Sequence, residues 1–561
     1  MNSAIQQLCR ALHKPETAKR YRDAGIGLAF IGLSQVLVVP IQITLDLYSI
    51  NLPASILVML LFSFLLLIAN CIHGGTEKLY SKHLRGPTDF LGRHMSFGFV
   101  ASFVMLNRDH ISNVIDIPRI AGAFFITTFA GYISTYLVAF GSSKLEQRLR
   151  GVREKVSDVE SRPKSWPSPS AAWPAPPTDR SVKRISQLSR LSVAISNERS
   201  LILTEAVKGG PASQLIEQIV RTGPLWICIF LLATVGVPVY FATRYEAPFE
   251  LLCFILFWIL SVQFQRSLKT SYRLLRFPCL RSVMVISANP VLVTWAIGTG
   301  YLWIKTGYRG QSIDVTITEF HWHQTLAEGI VTIVKGGGIS NNIGAGDLSG
   351  PVLDAGIVCM GFKMFEYRKE LWESIYTVLA TCALLTMANV FLNVILARAL
   401  GLQPADALSF AVRSVTIALG VPAIESLGGS TTLMSALVIF GGIIFQMAGD
   451  WLFSLLQIND QERQLKSNDS NNSSCTETMG STDMWNEKDM QKQIARTDNA
   501  VIAAGVTVGI NAAAMGTAHL IERDSRATAY SALSMTVFGA MTVALTAVPS
   551  VSETIISLAS R

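Results

Sequence analysis

The sequence has little charge and none of the common catalytic signatures. Only 15% of its 561 residues are Asp, Glu, Lys or Arg. It contains no GxxxxGK[ST], HExxH or GxSxG pattern, so phosphate-loop, zinc-protease and nucleophile-elbow chemistry have no sequence support. The eight cysteines form no CxxC pair, which argues against a zinc site or a disulfide framework. We therefore expect neither an enzyme nor a cofactor-binding protein.

Long hydrophobic runs are abundant instead. Half of the residues are hydrophobic, mean hydropathy is +0.39, and several apolar stretches reach the roughly 18 residues needed to cross a bilayer. The net charge of +8 comes from Lys and Arg between these stretches, without the aromatic and basic pattern typical of nucleic-acid binding. The sequence thus predicts an all-α, polytopic membrane protein that has the lipid bilayer, and no nucleic acid, as a partner.

The chain divides into two hydrophobic parts. We predict a basic tail at 1–23 on the cytoplasmic side, a membrane domain at 24–141, a Pro- and Ser-rich basic linker at 142–222, and a membrane domain at 223–561 with a polar loop at 457–498. Together the parts hold about 12 transmembrane helices. The predicted spans are 24–43, 52–69, 94–107, 119–141, 223–243, 248–265, 282–303, 374–397, 405–424, 430–456, 500–520 and 528–548.

One further apolar piece, Pro351 to Phe362, has an open assignment. Its 12 residues would extend about 18 Å as a helix, against a hydrocarbon core of about 30 Å, so it either re-enters or is half of a broken helix. If it spans, the sequons at Asn468, Asn471 and Asn472 face outward; if it re-enters, they face the cytoplasm. Both alternatives remain open, as does phosphorylation of the linker residue Ser186.

Arg413 lies eight residues inside a predicted span and is followed by Ser414 and Thr416. Placing a guanidinium there costs about 2.5 to 3.5 kcal/mol on insertion scales, so it requires a polar cavity or an anionic partner. The partner is either a carboxylate substrate, which Arg binds through two parallel hydrogen bonds, or a structural carboxylate, Asp354 or Glu425. Asp354 is therefore a candidate charge partner or proton carrier.

Three segments combine Gly or Pro with small polar residues inside apolar sequence, namely 346–354, 413–429 and 509–519. Such interruptions occur in the discontinuous helices of transporters, whose free N-terminal amides attract anions, although close helix packing is the alternative. The candidate substrate-binding residues are Arg413, Ser414, Thr416, Asn511, Gly516, Thr517 and His519. The alternating Glu319, His321 and His323 supply too few ligands for a metal, and no metal site is predicted.

These residues resemble the LrgA/LrgB (CidA/CidB, holin/antiholin-like) membrane family, in the fused arrangement of the plastidal glycolate/glycerate translocator. NLPASILVMLLFSFLLL is similar to LrgA. Residues 249–548 are similar to LrgB through Asn289-Pro290, Gly350-Pro351, the run from Arg413 to Thr416, Gly428-Gly429 and Gly516-Thr517-Ala518. The chain departs from that pattern at Ala513, where the family usually has His, at His519, where it often has Arg, and at Ile417-Ala418, which replace Thr-Pro.

The resemblance implies transport of small monocarboxylates such as glycolate, glycerate or pyruvate, with the second membrane domain as the path and the first as an accessory. A holin-like or regulatory membrane protein without selective transport is the alternative. We also expect a homo-oligomer, and the plasma membrane or the mitochondrial inner membrane as the location.

Overall fold

The computed structural model describes residues 15–48, 53–105, 116–161, 218–220, 222–271, 278–322, 326–334, 343–455 and 484–561. Every regular element in these ranges is helical. The chain forms two compact units, one of residues 1–22 with 149–227 and one of residues 23–148 with 228–561. In the smaller unit the Tyr21 hydroxyl donates to the Val220 carbonyl at 2.7 Å. The larger unit holds nearly all predicted spans of both halves.

The helices of the N-terminal half are α1 (Pro15–Leu47), α2 (Ala54–Ile72), α3 (Thr76–Leu79), α4 (Arg85–His94), α5 (Phe99–Met105) and α6 (Ile117–Ser161). A π turn, Tyr80–Leu84, joins α3 to α4, and a 3-10 turn, Met95–Gly98, joins α4 to α5.

The C-terminal half contributes α7 (Gly223–Leu231), α8 (Val237–Thr243), α9 (Ala247–Thr270), α10 (Pro278–Ser287), α11 (Pro290–Arg309), α12 (Ile313–Phe320), α13 (Leu326–Val334), α14 (Gly350–Glu366), α15 (Arg368–Glu373), α16 (Ile375–Ala399), α17 (Pro404–Ser409), α18 (Ile417–Leu427), α19 (Thr431–Leu455), α20 (Met484–Glu522), α21 (Ala527–Thr546) and α22 (Pro549–Ser560). A π turn, Leu232–Gly236, separates α7 from α8, and 3-10 turns at Asp347–Ser349 and Phe410–Val412 precede α14 and follow α17.

Ten helical segments in the described part of the chain are long and apolar enough to cross a membrane. They are Thr17–Leu47, Ala54–Ile72, Ile117–Leu149, Gly223–Thr243, Ala247–Leu268, Asp347–Glu366, Ile375–Ala399, Thr431–Ser454, Asn499–Glu522 and Ala527–Thr546. The predicted class, an all-α multi-pass membrane protein, is confirmed, and the described residues contain ten candidate spans against about 12 predicted for the whole chain.

Three predicted spans are not continuous helices. The region 94–107 passes from α4 through a 3-10 turn into α5, and the region 405–424 is interrupted before α18. The region 282–303 breaks at Asn289, whose side chain accepts from the Val291 amide at 2.9 Å and so begins α11 with Pro290 in its first turn. Hydropathy alone does not detect these breaks, because the residues on both sides are apolar.

The short piece 351–362 is part of a longer helix. Helix α14 continues to Glu366 because Lys363, which ended the apolar stretch, is buried and paired. Its ammonium lies 2.7 Å from Asp89 Oδ1 and 3.0 Å from Glu366 Oε2. With its preceding turn this segment has 20 residues, enough for a span. The sequons and Ser186 lie outside the described residues, and the sidedness of the loops and the domain boundaries stay predictions.

The core of the larger unit combines both halves of the chain. Helix α14 packs on α2, α4 and the 3-10 turn Met95–Gly98, and α20 packs on α19, α21 and α4. Glycines permit the closest approaches. A Cβ at Gly361 would lie 2.3 Å from the Met59 carbonyl oxygen, so any side chain there would separate α14 from α2.

Candidate functional site

Two helices are interrupted where the sequence places polar residues among small ones. Between the turn Phe410–Val412 and α18, residues 413–416 are not α-helical, and Thr416 has extended backbone angles (φ −52°, ψ 134°) at the start of α18. In α20 the interruption is at Ala513, with φ 47° and ψ −137°. Two of the three predicted interruptions therefore divide helices, and the third, at 346–354, is the 3-10 turn that begins α14.

The two interruptions border the same small cavity. Its lining includes Thr416 and Ile417 from one interruption and residues 512–515 from the other. It has room for about one water molecule, which is less than a carboxylate needs. The first turn of α18 thus begins at this cavity, and the amides of such a turn lack partners within the helix and favour anions. The Thr416 hydroxyl is buried and has no hydrogen-bond partner.

Arg413 lies three residues before Thr416, which lines this cavity, and it is buried inside the protein. Its side chain is 2% exposed; Nη2 donates to the Thr127 carbonyl at 2.6 Å and Nη1 to the Thr128 hydroxyl at 3.3 Å. Its Nε atom has no partner. Among the described residues no carboxylate lies within 4 Å of this guanidinium. Arg413 is therefore a buried cation held by two neutral groups of α6.

The ion pair that the sequence suggested for Arg413 is not formed in this structure. Asp354 instead accepts a hydrogen bond from Gln35 Nε2 at 3.4 Å and one from the Ser55 hydroxyl, so its partners belong to α1 and α2. Glu425 also makes no ion pair with Arg413. Thus the charge-partner role of Asp354 is not seen here, and its role as a proton carrier stays a prediction.

Asn511 meets Arg413 at Gly131 of α6. A Cβ at Gly131 would lie 2.5 Å from Arg413 Nη2 and 2.5 Å from Asn511 Oδ1, so both side chains converge on this glycine. Asn511 Nδ2 donates to the Thr135 hydroxyl at 3.0 Å and the Thr507 carbonyl at 3.1 Å, which fixes the amide and leaves Oδ1 without a partner. The site offers a cation and a hydrogen-bond acceptor next to each other.

The remaining predicted residues lie in other environments. Ser414 is buried in the interruption, and Gly516 lies against the ring of Phe445. The Thr517 hydroxyl is engaged with the Ala513 carbonyl at 2.9 Å and with Ser531 at 2.8 Å, so it joins α20 to α21. His519 lies near the C-terminal end of α20.

At that end His519 Nε2 is 3.1 Å from Asp450 Oδ1, which Arg523 also contacts at 2.6 Å. The His519 ring packs edge-on against Phe445, which stacks on Tyr132 with ring centroids 6.2 Å apart. None of these contacts of His519 involves Arg413 or Asn511.

The structure adds residues that sequence reasoning missed. Residues 117–141 of α6 were interpreted as part of an accessory domain, yet this part of the helix supplies Thr127, Thr128, Gly131 and Thr135 to the site. Its sequence TTFAGYIST mixes Gly with small polar residues in an apolar span, which is the same signal that marked the other interruptions.

Gln446 was missed as well. It accepts from Asn289 Nδ2 at 2.9 Å and donates to the Met515 carbonyl at 3.4 Å, so it connects two helix interruptions. The described residues do not bring Glu319 and His321 together as metal ligands. Glu319 pairs with Arg309, His321 lies 2.6 Å from Asp347, and His323 lies outside the described residues.

Interrupted helices that face each other inside a multi-pass helical bundle define a membrane protein built around a central polar site. A sequence model of the LrgB-like family matches residues 270–464 and 492–551. The match includes Arg413, Asn511, Gln446 and both interruptions. In this C-terminal region the chain is similar to the LrgB-like family. The LrgA-like interpretation of residues 24–141 stays a prediction.

Curated relatives carry the name holin-like protein CidB. Those from Staphylococcus aureus strains Mu50 and N315 are each 25% identical to the chain over 126 residues, which is 22% of this chain and 55% of the relative. The chain thus spans about half the length of the curated relatives it matches. No solved structure is significantly similar to it. The chain is a multi-pass membrane protein related to holin-like proteins.

Proposed function

We propose that the protein transports small monocarboxylates, with Arg413 as the group that binds the carboxylate. The observation that supports this is the buried guanidinium without a counter-ion among the described residues. A buried charge is strongly unfavourable unless an opposite charge reaches it. A carboxylate substrate supplies that charge, and the first turn of α18 adds amide donors. The LrgB-like family supports a transport or regulatory role over an enzymatic one.

The free acceptor of Asn511 favours substrates with a hydroxyl group. A hydroxy acid can give its carboxylate to Arg413 and its hydroxyl proton to Asn511 Oδ1, whereas a 2-oxo acid has no such proton. Sites that hydrogen-bond a substrate hydroxyl reject analogues without it, because the buried partner is then left unpaired. We therefore propose glycolate- or glycerate-like substrates, as in the plastidal translocator, over pyruvate.

Uptake of labelled glycolate, glycerate and pyruvate into proteoliposomes tests this proposal. We expect saturable uptake, with glycolate or glycerate preferred over pyruvate by about 10-fold. Asn511→Leu should remove most of that preference, because it deletes the acceptor and keeps the branched shape of the side chain. If folded protein shows no saturable uptake of any of the three acids, the carboxylate proposal is wrong.

The role of Arg413 has its own test. Arg413→Ala should abolish saturable uptake, and Arg413→Lys should retain only part of it, because Lys cannot form two parallel hydrogen bonds with a carboxylate. Arg119→Ala, at a half-exposed arginine near the start of α6, is the matched control and should transport normally. Should Arg413→Ala lower only the melting temperature and leave saturable uptake unchanged, Arg413 is structural.

The names of the curated relatives support a second candidate, a holin-like or regulatory membrane protein. A holin-like assembly would pass many solutes and oligomerise. Release of an encapsulated dye from the same proteoliposomes separates the candidates, since a selective carrier retains the dye. We also propose that the protein is located in the plasma membrane or the mitochondrial inner membrane and forms a homo-oligomer. The uptake and dye experiments do not test these two points.

A further inference from the structure

Helix α16 carries two buried amides whose donors are unused. Asn389 and Asn393 lie one helical turn apart, at 7% and 8% exposure. The Nδ2 atom of each is buried and has no hydrogen-bond partner. Because residues four positions apart share a helix face, the two amides point to the same side of α16. The hydroxyl of Thr386, three residues before Asn389, is also buried and unpartnered.

The other buried asparagines of the described chain behave differently. Asn289 donates from Nδ2 to Gln446 at 2.9 Å, Asn499 to Gln147 at 2.8 Å and Asn511 to Thr135 at 3.0 Å. Buried polar groups are nearly always hydrogen-bonded, since a lost bond to water is otherwise not replaced. The unpartnered Nδ2 groups of Asn389 and Asn393 are therefore an exception. A ligand with acceptor oxygens would provide the missing hydrogen bonds.

Helix α16 lies in the hydrophobic core and next to the Arg413 interruption. Val390 and Val394, which directly follow the two asparagines, belong to the hydrophobic core of the larger unit. Cys382, one turn before Thr386, donates from its thiol to the Ser534 carbonyl at 3.6 Å, so this side of α16 is turned toward α21. Helix α16 also packs on the 3-10 turn Phe410–Val412, which ends directly before Arg413.

We propose that Asn389 and Asn393 form a second position at which the transported carboxylate is bound, beside the position at Arg413. Amide donors suit this role, because they bind carboxylate oxygens without the full charge that would hold an anion permanently. Successive weak positions let a substrate enter and also leave. This second position rests on the proposed transport function. It adds Asn389 and Asn393 of α16 to the residues that bind the substrate.

The test is the double variant Asn389→Leu/Asn393→Leu in proteoliposomes. Leu has the same number and branching of side-chain heavy atoms as Asn and no polar atoms, so it removes two unpartnered groups from the core. We expect the melting temperature to rise by about 2 °C or more, while the uptake rate of each transported carboxylate falls at least about 10-fold. The single variants Asn389→Ala and Asn393→Ala should each lower uptake at least about threefold, which keeps the test valid if the double variant folds poorly.

Asn289→Leu is the matched control for stability, because both of its polar atoms are bonded and its replacement should lower the melting temperature. If the double variant and both single variants lower the melting temperature as Asn289→Leu does and leave uptake unchanged, the two amides are structural and the inference is overturned. Unchanged uptake in the double and both single variants overturns it as well. These results differ from failure of the proposed function, in which the wild-type protein itself shows no saturable uptake.

Discussion

At Gly131 the absence of a side chain allows two polar groups from distant parts of the sequence to meet. Arg413 and Asn511 are each fixed by hydrogen bonds to α6 or to their own helix. Neither can move aside without losing a bond, although both contact points are the ends of flexible side chains. The requirement for glycine here comes from space, because α6 is an ordinary helix at this position.

Gly131→Ala should therefore impair the site more than the fold. The new methyl group would lie 2.5 Å from Arg413 Nη2 and from Asn511 Oδ1, so both side chains must be displaced. We expect uptake to fall at least about 10-fold, with a loss of stability of about 1 to 3 kcal/mol from overpacking. Uptake assays and thermal unfolding of the purified variant measure the two effects.

Gly122→Ala provides the control on the same helix. Nothing lies within 4 Å of a Cβ at Gly122, so alanine should be tolerated there and should stabilise the helix slightly. Normal uptake by Gly131→Ala would show that Arg413 and Asn511 do not act together at this glycine.

Ala513 has a backbone conformation that L-residues rarely adopt, with φ 47° and ψ −137°. Such a conformation costs about 1 to 3 kcal/mol for a residue with a Cβ and much less for glycine. Ala513→Gly should therefore stabilise the protein by about 1 kcal/mol, measured as a higher melting temperature.

A decrease in stability caused by Ala513→Gly would be equally informative. In a regular helix the same substitution destabilises by about 1 kcal/mol, so a lower melting temperature would mean that α20 is continuous at Ala513. Gly516 offers no such test, because its neighbours already crowd it. The sign of this one change therefore distinguishes an interrupted α20 from a continuous one.

At the scale of elements, Gln446 on α19 connects two interruptions. Its amide oxygen accepts from Asn289, which begins α11, and its amide nitrogen donates to the Met515 carbonyl, two residues after the interruption in α20. Gln446→Leu would leave Asn289 Nδ2 buried and unpaired, which costs about 1 to 3 kcal/mol, and would remove the additional bond to the Met515 carbonyl. We expect a lower melting temperature and reduced uptake.

Gln403→Leu is the comparison for this prediction, because Gln403 is exposed before α17 and its side chain caps no helix. It should change neither stability nor uptake by more than a small amount. If Gln446→Leu behaves like Gln403→Leu, the link between α11, α19 and α20 has no energetic importance.

Sequence patterns predicted the elements better than their continuity. Apolar length identified nine of the ten candidate spans of the described residues as separate spans, because long runs such as Ala54–Ile72 admit no other arrangement in a bilayer. It failed at Lys363, where a charge ends the apolar run although Asp89, distant in sequence, neutralises it. It also failed at Asn289-Pro290, where a cap within apolar sequence divides one predicted span into two helices.

The site was only partly predictable for a related reason. Arg413 and Asn511 were recognisable individually, since polar groups in an apolar span are costly. Their meeting at Gly131 depends on the packing of α6, which no local pattern encodes. His519 stands where the family often has Arg, yet it packs against Phe445 and contacts Asp450 rather than Arg413 or Asn511.

At the scale of the molecule, residues 23–148 and 228–561 form one compact unit. Polar contacts join α6 to the C-terminal half at several positions along the helix. Asn499 bonds to Gln147 at 2.8 Å, the Thr377 amide to Glu146 at 3.0 Å, and Arg413 to the Thr127 carbonyl at 2.6 Å. These contacts join the two halves independently of the linker. We therefore expect that transport requires the N-terminal half but does not require an intact linker.

Cleavage within the linker tests this necessity. A protease site inserted between residues 170 and 180, cut after reconstitution, should leave two fragments that copurify and retain at least about half of the uptake. Burial of the shared core is what holds them together. The C-terminal part from residue 228 expressed alone should show almost no uptake, because Arg413 and Asn511 then lose Thr127, Thr128 and Thr135. Uptake by that part alone at the rate of the whole protein would mean that α6 is an accessory after all, and that the carboxylate site is complete within the LrgB-like region.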